Sequence, residues 1–350
     1  MTPPDASGGV VSTGSTTREH GSTTREHGST TRDSTTREAP RDVVLAGGLS
    51  HERDVSLRSG RRVAEALRAA GADVEERDVD AALVPALRED APACVVPLLH
   101  GESGEDGAIR EVLELLAVPY VGSRPSACRR AFDKPAAKSV VAGAGVRVPE
   151  GVALPHETFR ELGAAAVMDA ITSSLGLPLM VKPARGGSAL GATAVRDAAA
   201  LAPAMVAAFS YADTALVERF VGGTEVAVAV VDTGDGPRAL PAVSIEPDGG
   251  VYDYTARYTA GSTEFVVPAK LADEVAAECA RVAVAAHREL GLRDLSRSDL
   301  LIDPDGAVWF LEVNVAPGLT ETSTVPLSVQ AAGLDLGQLF VDLVRAAVSR

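Results

Sequence analysis

The sequence predicts a parallel α/β domain followed by α+β segments with antiparallel sheets. After Arg41, strand and helix patterns alternate, and the strand pattern A-C-V-V-P-L-L-H at 93–100 is apolar throughout. Continuous apolar runs are typical of parallel strands that helices cover on both faces. Further along, the strand pattern L-P-L-M-V-K-P is followed by a loop rich in Gly and Ser and then by the short strand pattern A-T-A-V. This order predicts a hairpin, and hence an antiparallel sheet.

The remaining elements follow in order along the chain. D-V-V-L-A is the first strand, and the short strand V-P-Y-V-G closes the α/β unit. The strands L-V-E-R-F-V and E-V-A-V-A-V-V follow the hairpin, and S-R-S-D-L-L-I-D and A-V-W-F-L-E-V-N come last. Helices are predicted over about 56–70, 106–117, 133–145, 155–176 and 272–290.

Composition divides the chain near residue 40. The unit S-T-T-R-E-H-G stands twice in tandem at 15–28 and has no apolar side chain to bury. Such a segment does not regain its ordering entropy, so we expect 1–40 to be a disordered repeat tail. For the rest we predict an N-terminal α/β domain over 41–131, a central segment over 132–221 and a C-terminal segment over 222–350.

Charge and composition exclude several classes of protein. The chain has 350 residues, 46% of them hydrophobic, and a net charge of -15, which makes nucleic acid an unfavourable partner. No run of 18 apolar residues and no signal-peptide pattern occurs, so we expect no membrane span and a cytoplasmic location. Three cysteines stand far apart, at Cys94, Cys128 and Cys279, and are interpreted as free thiols rather than a disulfide framework or a zinc site.

The last two strands form a predicted hairpin around the turn D-P-D-G at 303–306. Strict alternation places Glu312 and Asn314 of the second strand on one face, together with Phe310. The other face carries Trp309, Leu311 and Val313, which we pair with Leu300 and Ile302 of the first strand.

This register brings four polar side chains together: Arg297, Asp299, Glu312 and Asn314. Two carboxylates and an amide oxygen suit a hard divalent cation such as Mg²⁺, which commonly keeps phosphates and water in its shell. An exposed polar face is the alternative interpretation of an arbitrary hairpin. The P-G-L-T that follows directly, and the phosphate-binding features upstream, favour the cation site.

The phosphate-binding features are Lys134, Lys182 and the loop 185–191. Lys182 ends an apolar strand, although a lysine in that position is often just solvated. The small residues of the loop R-G-G-S-A-L-G allow backbone N–H groups to approach phosphate oxygens. The P-loop pattern is absent, and Gly47-Gly48 lacks the glycine fingerprint of a dinucleotide site, which disfavours a dehydrogenase.

Eight motifs in order give the chain a family resemblance over about 42–348. They are G-G-L-S-H-E-R-D-V-S (47–56), H-G-E-S-G-E-D-G (100–107), F-D-K (132–134), V-K-P-A-R-G-G-S (181–188), V-E-R-F-V (217–221), Y-D-Y-T-A-R-Y (252–258), R-S-D (297–299) and E-V-N-V-A-P-G-L-T-E-T-S-T-V-P (312–326). With them the sequence resembles the D-alanine–D-alanine ligases of the ATP-grasp superfamily. The resemblance implies an α/β N-terminal domain followed by a two-part α+β ATP-grasp module with antiparallel sheets. It also implies a homodimer, since members of this family are commonly dimers.

For the nucleotide, the resemblance implies that ATP lies between the two antiparallel sheets. Lys134 and Lys182 would contact its phosphates. Glu218, with backbone groups up to Val221, would meet the adenine, and Glu225 would meet the ribose.

For the reaction, the resemblance implies ATP-dependent joining of two D-alanine molecules for peptidoglycan precursors. Asp299, Glu312 and Asn314 would hold two Mg²⁺ ions, a role that Mn²⁺ can also fill, while the γ-phosphoryl group moves to the carboxylate of the first D-alanine. The amine of the second D-alanine would attack this acyl phosphate. Arg297 and the backbone N–H of Gly318 would stabilise the oxyanion.

The amino-acid substrates are assigned by the same resemblance. Glu52 would meet the amine of the first D-alanine, although a helix-start carboxylate is the alternative interpretation. His100 ends a parallel strand, where ligands of α/β domains bind, and its alternative is a buried histidine satisfied by the core. Ser323 would take the carboxylate of the second D-alanine. Ser188 and Tyr258 match a hydrogen-bonded link to Glu52 that closes a lid, predicted over about 250–265.

Four positions depart from the family pattern. Arg257 stands where a Lys usually lies near the γ-phosphate, and the two are not equivalent in geometry. Gly186 replaces a common Glu, and Val315 and Thr322 replace a usual Thr and His. These changes leave open a ligase of the same mechanism that joins other amino acids in specialised metabolism. A catalytically inactive nucleotide-binding protein is disfavoured by the intact lysines and metal-binding residues.

Overall fold

The computed structural model describes residues 41–248 and 261–350, so the predicted tail over 1–40 lies outside the described residues. The strands are β1 (Asp42–Leu45), β2 (Val74–Arg77), β3 (Val95–Pro97), β4 (Gly151–Pro155), β5 (Leu179–Pro183), β6 (Thr193–Val195), β7 (Thr214–Arg219), β8 (Thr224–Val231), β9 (Arg238–Ala239), β10 (Val243–Pro247), β11 (Thr263–Val266), β12 (Leu295–Ile302) and β13 (Val308–Asn314). The helices are α1 (Arg53–Ala69), α2 (Leu83–Glu89), α3 (Glu102–Glu105), α4 (Ala108–Leu115), α5 (Pro125–Phe132), α6 (Lys134–Gly143), α7 (His156–Leu162), α8 (Ala164–Leu175), α9 (Leu201–Phe209), α10 (Asp273–Glu289), α11 (Thr324–Ala331) and α12 (Leu336–Val348).

The N-terminal sheet is parallel, with the strand order β2-β1-β3, as the continuous apolar runs predict. All three residues of β3 are buried. The predicted strand V-P-Y-V-G is present only as a single parallel bridge between Val95 and Tyr120. Strand β2 was not predicted, because V-E-E-R has one buried side chain, Val74, and therefore no clear apolar pattern.

The central sheet is antiparallel, in the order β4-β7-β5-β6, and includes the predicted hairpin of β5 and β6. Its core is formed by one face of these strands against α8 and α9. The helix predicted over 155–176 is divided at Gly163, whose φ of +88° is in the left-handed region that favours glycine. The result is two helices, α7 and α8, where one was expected.

The C-terminal sheet has the strand order β11-β10-β8-β12-β13, with β9 paired to β8. Strands β8 and β12 pair antiparallel over eight residues each and form the centre of the sheet. One face packs on α10, α5 and α6. The predicted order of a parallel α/β part followed by antiparallel sheets is therefore confirmed.

A β-bulge in β13 corrects the predicted faces of the last hairpin. Asp299 pairs with Glu312, but the next pair is Leu300 with Phe310, so Leu311 is an extra residue. Beyond such a bulge the alternation of faces changes phase. Phe310 is therefore fully buried in the core with Leu300, although strict alternation placed it beside Glu312.

The same bulge moves two other side chains away from the core. Trp309, which was predicted to share a face with Val313, is only partly buried and donates its indole N–H to Asp303 at 2.8 Å. Leu311 faces a cavity instead of the core. Of the three residues of β13 predicted for the apolar face, Val313 is the one in the core, where it joins Val308.

The parallel and C-terminal parts share one hydrophobic core, in which α1 packs beside α12 and β8. Asp294 ties the two parts together: its carboxylate accepts the Gly122 N–H at 2.6 Å and the Arg350 guanidinium at 2.6 and 2.8 Å. The described residues, 41–248 and 261–350, accordingly belong to one compact unit by their contacts. The boundaries at 131/132 and 221/222 stay predictions.

No single helix in residues 41–248 and 261–350 is long and apolar enough to cross a membrane. Only α11 and α12, bent by 101° at their junction, pass such a test jointly, and by length and composition alone.

The bulge gives a testable pair of neighbouring variants. Phe310→Ala should lower the free energy of unfolding by about 3–5 kcal/mol, because it leaves a cavity in the core. Leu311→Ala should lower it by about 1 kcal/mol or less, because that side chain faces a cavity. Urea unfolding of both variants measures the difference. The reverse order would mean that strict alternation holds and that the bulge is absent.

Candidate active site

Two adjoining cavities lie where the three sheets meet. The smaller, about 200 Å³, lies between the N-terminal domain, the loop 185–191 and the end of the C-terminal sheet. The larger, about 440 Å³, lies between the central and C-terminal sheets. Lys134, Asp299 and Glu312 line both cavities, as do Gly186 and Gly187. Groups of opposite charge are thus concentrated at the junction of the two spaces.

The hairpin β12–β13 supplies the polar face at this junction. Arg297 lies opposite Asn314, and Asp299 lies opposite Glu312. The Arg297 guanidinium binds both oxygens of Asp299, at 2.7 and 2.8 Å. The Asn314 amide oxygen accepts the Ala316 N–H at 2.8 Å and so fixes the turn that follows the strand. The structure therefore brings together the four polar residues that the strand pattern joined.

These donors fit a divalent cation. Within residues 41–248 and 261–350, no group of three or more His, Cys, Asp or Glu side chains could hold a metal ion by itself. The pair Asp299 and Glu312 with the Asn314 amide gives three oxygen-bearing side chains on adjacent strands. Such a set suits an ion that completes its shell with phosphate and water oxygens, as Mg²⁺ does.

Lys134 connects this hairpin to the glycine-rich loop. It is the first residue of α6, whose N-cap Asp133 accepts the Ala136 N–H at 3.0 Å. The Lys134 ammonium donates to the Gly186 carbonyl at 2.6 Å and lies 3.3 Å from a Glu312 oxygen. Its side chain is only 10% exposed, so its position is well determined by these partners.

The glycine-rich loop is held in an unusual backbone conformation. Gly186 has a φ of +107°, and the non-glycine residues Ser188 and Ala189 have φ values of +56° and +55°. Left-handed conformations of such residues cost about 1 kcal/mol or more each and are common at ligand sites. Arg185 pairs with Asp133 at 3.0 Å and adds a second tether to the start of α6.

A buried charge cluster that the sequence analysis missed lies beside the larger cavity. The Glu218 carboxylate is bound by two lysines: one oxygen by Lys138 in a very short hydrogen bond, the other by Lys182 at 2.7 Å. Burial, and then the neighbouring charge of Lys182, lower the pKa of Lys138 to about 7. Glu218 keeps its pKa below the usual range, because the two lysines outweigh its burial. The spacing of Lys134 and Lys138, one helical turn apart, could have placed Lys138 on the same face of α6 but gives no sign of its pairing with Glu218.

The other residues predicted to meet the nucleotide line the larger cavity. Val221 follows β7, and Glu225 stands on β8, opposite Ile245 of β10. The partly buried Leu301 and Leu311 form an apolar part of the wall. A flat aromatic base would be in contact with apolar groups here and with charges at the junction.

Glu52 stands at the start of α1 and faces the smaller cavity. The Ser188 hydroxyl donates a very short hydrogen bond to a Glu52 oxygen. This contact links the start of α1 to the glycine-rich loop, 136 residues later in the chain. Tyr258, predicted to join the same link, and Arg257 lie outside the described residues.

His100 lines the smaller cavity, but both of its ring nitrogens hydrogen-bond to protein groups. Nδ1 lies 2.9 Å from the Ala316 carbonyl, and Nε2 lies 3.0 Å from the Ser59 hydroxyl. Ser59 in turn accepts the Leu319 N–H at 3.1 Å. Burial lowers the pKa of His100, so the ring is neutral and Nδ1 is the donor. These contacts favour a residue that positions the loop around Gly318 over one that binds substrate.

Gly318 and Ser323 complete the wall opposite Glu52. A Cβ atom on Gly318 would come within 2.9 Å of the Ser323 hydroxyl, so the two residues are adjacent. Ser323 is the N-cap residue of α11, and its hydroxyl accepts the Thr320 N–H at 3.1 Å rather than an N–H of the helix. The N-terminus of this eight-residue helix therefore faces the cavity, where it favours a carboxylate. Thr322 lines the cavity, whereas Val315 is buried in the core.

The comparisons with known proteins agree with this arrangement. A sequence model described as the D-ala D-ala ligase C-terminus matches residues 140–345. The chain is similar to the D-alanine–D-alanine ligase of Anaeromyxobacter sp. (strain Fw109-5), with 42% identity over 85% of this chain and 93% of that protein. It is 39% identical to the enzyme of the same name from Bordetella petrii, over 88% and 92%.

Solved structures of ligases are also similar to this chain over most of its length. The VanG D-Ala:D-Ser ligase from Enterococcus faecalis superposes with a TM-score of 0.77 and 28% identity, over 89% of this chain and all of the other. The D-alanine–D-alanine ligase from Bacillus anthracis gives 0.75 and 26%, over 89% and 98%. The same enzyme complexed with ATP gives 0.71 and 25%, over 89% and 98%.

The buried charge cluster gives a prediction for Lys138. Lys138→Met should weaken ADP binding in the presence of Mg²⁺ roughly tenfold, or about 1.4 kcal/mol, because it removes a positive charge and frees the Glu218 carboxylate to move. Glu218 retains Lys182, so the fold should persist. Isothermal titration calorimetry measures the affinity, with the exposed Lys270→Met as the matched control. Equal affinities of the two variants would contradict a nucleotide-positioning role.

Proposed function

The chain belongs to the D-alanine–D-alanine ligase family, and we propose that it joins two D-alanine molecules to D-alanyl-D-alanine while ATP is converted to ADP and phosphate through an acyl phosphate. The predicted fold class, an α/β domain followed by an ATP-grasp module, is confirmed by the family's structures. The observation that carries the proposal is the junction of the two cavities, where Lys134, Asp299 and Glu312 face both a nucleotide-sized space and a smaller polar one. The product would serve peptidoglycan precursor synthesis.

ATP would bind in the larger cavity with its phosphates at the junction. Lys134 and Lys182 would contact the phosphates, and Lys182 is already oriented by its ion pair with Glu218. The backbone from Glu218 to Val221 would meet the adenine, and Glu225 the ribose. Because both Glu218 oxygens bind lysines, we assign its side chain mainly to positioning.

Asp299, Glu312 and Asn314 would hold the two Mg²⁺ ions. Bound there, Mg²⁺ would neutralise phosphate charge during transfer of the γ-phosphoryl group. The chain's own residues balance the same charges: Arg297 pairs with Asp299, and Lys134 with Glu312. Mn²⁺ in place of Mg²⁺ and a homodimer stay predictions from the family resemblance, and a cytoplasmic location stays a prediction from the absence of a membrane-span or signal-peptide pattern in the sequence.

The smaller cavity would hold the two amino acids. Glu52, oriented by Ser188, would bind the amine of the first D-alanine, whose carboxylate oxygen attacks the γ-phosphorus to give an acyl phosphate. The amine of the second D-alanine would then attack that carbonyl carbon and expel phosphate. Arg297 and the Gly318 N–H would stabilise the oxyanion, and Ser323 at the start of α11 would bind the second carboxylate.

A ligase of the same mechanism acting on other amino acids is the second candidate. Thr322, one of the departures from the family pattern, lines the smaller cavity beside Ser323. Gly186, another departure, lines both cavities. Changes of this kind alter discrimination between substrates without changing the chemistry.

The substrate pair can be tested with the full-length protein, ATP and Mg²⁺. We expect phosphate release with D-alanine alone, and D-alanyl-D-alanine as the product by mass spectrometry. A panel of D- and L-amino acids, alone and in pairs with D-alanine, provides the comparison. Low turnover with D-alanine but high turnover with another pair would instead support a ligase of the same mechanism that acts on other amino acids.

The metal site predicts the behaviour of Asp299→Asn. The variant should lose about 100-fold or more in turnover, about 3 kcal/mol, and require more Mg²⁺ for half-maximal rate, because one anionic ligand is lost. Mg²⁺ titrations of phosphate release measure both effects. Asp305→Asn, at the exposed turn of the same hairpin, is the control. An unchanged Mg²⁺ requirement in Asp299→Asn would refute the assignment of this ligand.

A further inference from the structure

Glu105 is a buried carboxyl group in the smaller cavity that has no role in the reaction described above. It ends the short helix α3 and is only 9% exposed. A Cβ atom on the preceding Gly104 would lie 2.2 Å from the Leu99 carbonyl oxygen. Only glycine lets α3 pack this closely on the end of the parallel sheet, and this packing turns Glu105 into the cavity.

The surroundings of Glu105 contain little that would satisfy a carboxylate. One carboxyl oxygen of Glu105 accepts the Gly101 N–H at 3.2 Å. This is the only hydrogen bond of the Glu105 side chain to residues 41–248 and 261–350. Glu52 also lies beside Gly101: a Cβ atom added to Gly101 would be 3.0 Å from a Glu52 carboxylate oxygen. Two carboxyl groups thus stand on either side of one glycine in the same cavity.

The charged groups facing Glu105 come from several elements. Glu52 belongs to the start of α1, and Arg297 and Glu312 to the hairpin β12–β13. Arg110 of α4 donates to the Gly104 carbonyl rather than to the Glu105 side chain. Burial, and then the charge of Glu52, raise the pKa of Glu105 to about 8. A carboxyl group that has only a structural role is rarely left buried with a single hydrogen bond.

The proposed reaction needs a proton acceptor at this place. The second amino acid arrives as an ammonium ion, and its nitrogen attacks only after losing a proton. Glu52 is hydrogen-bonded to Ser188 and assigned to the first amine, and both nitrogens of His100 are in use. Among the carboxyl groups lining the described cavity, Glu105 is then the one with neither a substrate nor a cation assigned to it.

We propose that Glu105 accepts the proton from the ammonium group of the second amino acid before the acyl phosphate is attacked. The N–H bond breaks, the proton goes to a Glu105 oxygen, and the electron pair stays on nitrogen. This pair forms the bond to the carbonyl carbon, the C–O bond to phosphate breaks, and the second amine proton leaves with the phosphate. Glu105 then returns its proton to solvent. This inference rests on the proposed function.

Two nucleophiles separate this step from formation of the acyl phosphate. Hydroxylamine is largely unprotonated at pH 7, so it traps the acyl phosphate as D-alanine hydroxamate without a base. In Glu105→Gln, dipeptide formation should fall at least about 100-fold, while hydroxamate formation stays within about threefold of wild type. The wild-type dipeptide rate should rise with pH through about pH 8, since the ionised carboxylate is the active form, and the variant should lose this rise. Glu102→Gln, an exposed residue of the same helix, is the control and should change neither rate.

The outcomes are distinct. An equal fall of both products in Glu105→Gln would overturn the proposal, because the residue would then act on structure or on the first step. Unchanged dipeptide formation would overturn it as well. If the wild type makes hydroxamate from D-alanine but joins a different amine, the substrate pair is wrong, and the same comparison with that amine still decides the role of Glu105.

Discussion

The change of strand phase at Leu311 is the constraint on which the site depends. Below the bulge, Phe310 and Val308 fill the core against α10; above it, Glu312 and Asn314 face the cavities. A regular strand could not bury Phe310 in the core and also turn Glu312 to the cavities, because residues two apart lie on the same face. One extra residue therefore lets a single strand anchor the C-terminal sheet and present side-chain oxygens beside Asp299. Bulges next to active sites commonly re-aim side chains in this way.

Charges at the site are paired before any ligand binds. Arg297 holds Asp299, Lys134 reaches Glu312, and Lys138 with Lys182 encloses Glu218. Burying one charge alone would be strongly unfavourable, whereas an ion pair with good geometry offsets most of that cost. Incoming phosphates and cations would therefore exchange one set of opposite charges for another. Glu105 is an exception, because burial, and then the charge of Glu52, raise its pKa to about 8.

Several distant segments supply one surface because polar contacts tie them together. Ser188 of the glycine-rich loop binds Glu52, and His100 connects Ser59 of α1 to the loop around Ala316. Phosphoryl and acyl transfer are accelerated mainly by positioning of the reacting groups and by electrostatic stabilisation of the transition state. Small displacements of these hydrogen bonds would therefore lower the rate. Both ring nitrogens of His100 are bonded, one to the Ala316 carbonyl and one to the Ser59 hydroxyl, so we interpret this residue as positioning the loop rather than binding substrate.

The sequence by itself determined the class of fold, the hairpin with its polar residues and the family, because these depend on local alternation and on motifs in fixed order. It predicted Asp299, Glu312, Lys134 and Lys182 for one site; the structure brings them to the two adjoining cavities, and their roles stay predictions. Only the tertiary structure decided the faces of Phe310 and Trp309, since a bulge is set by packing against other elements. The partnership of Lys138 with Glu218 spans 80 residues, and the burial of Glu105 depends on how closely Gly104 approaches Leu99. Such long-range distances leave no periodic trace in a sequence, so they become visible only when the segments are folded together.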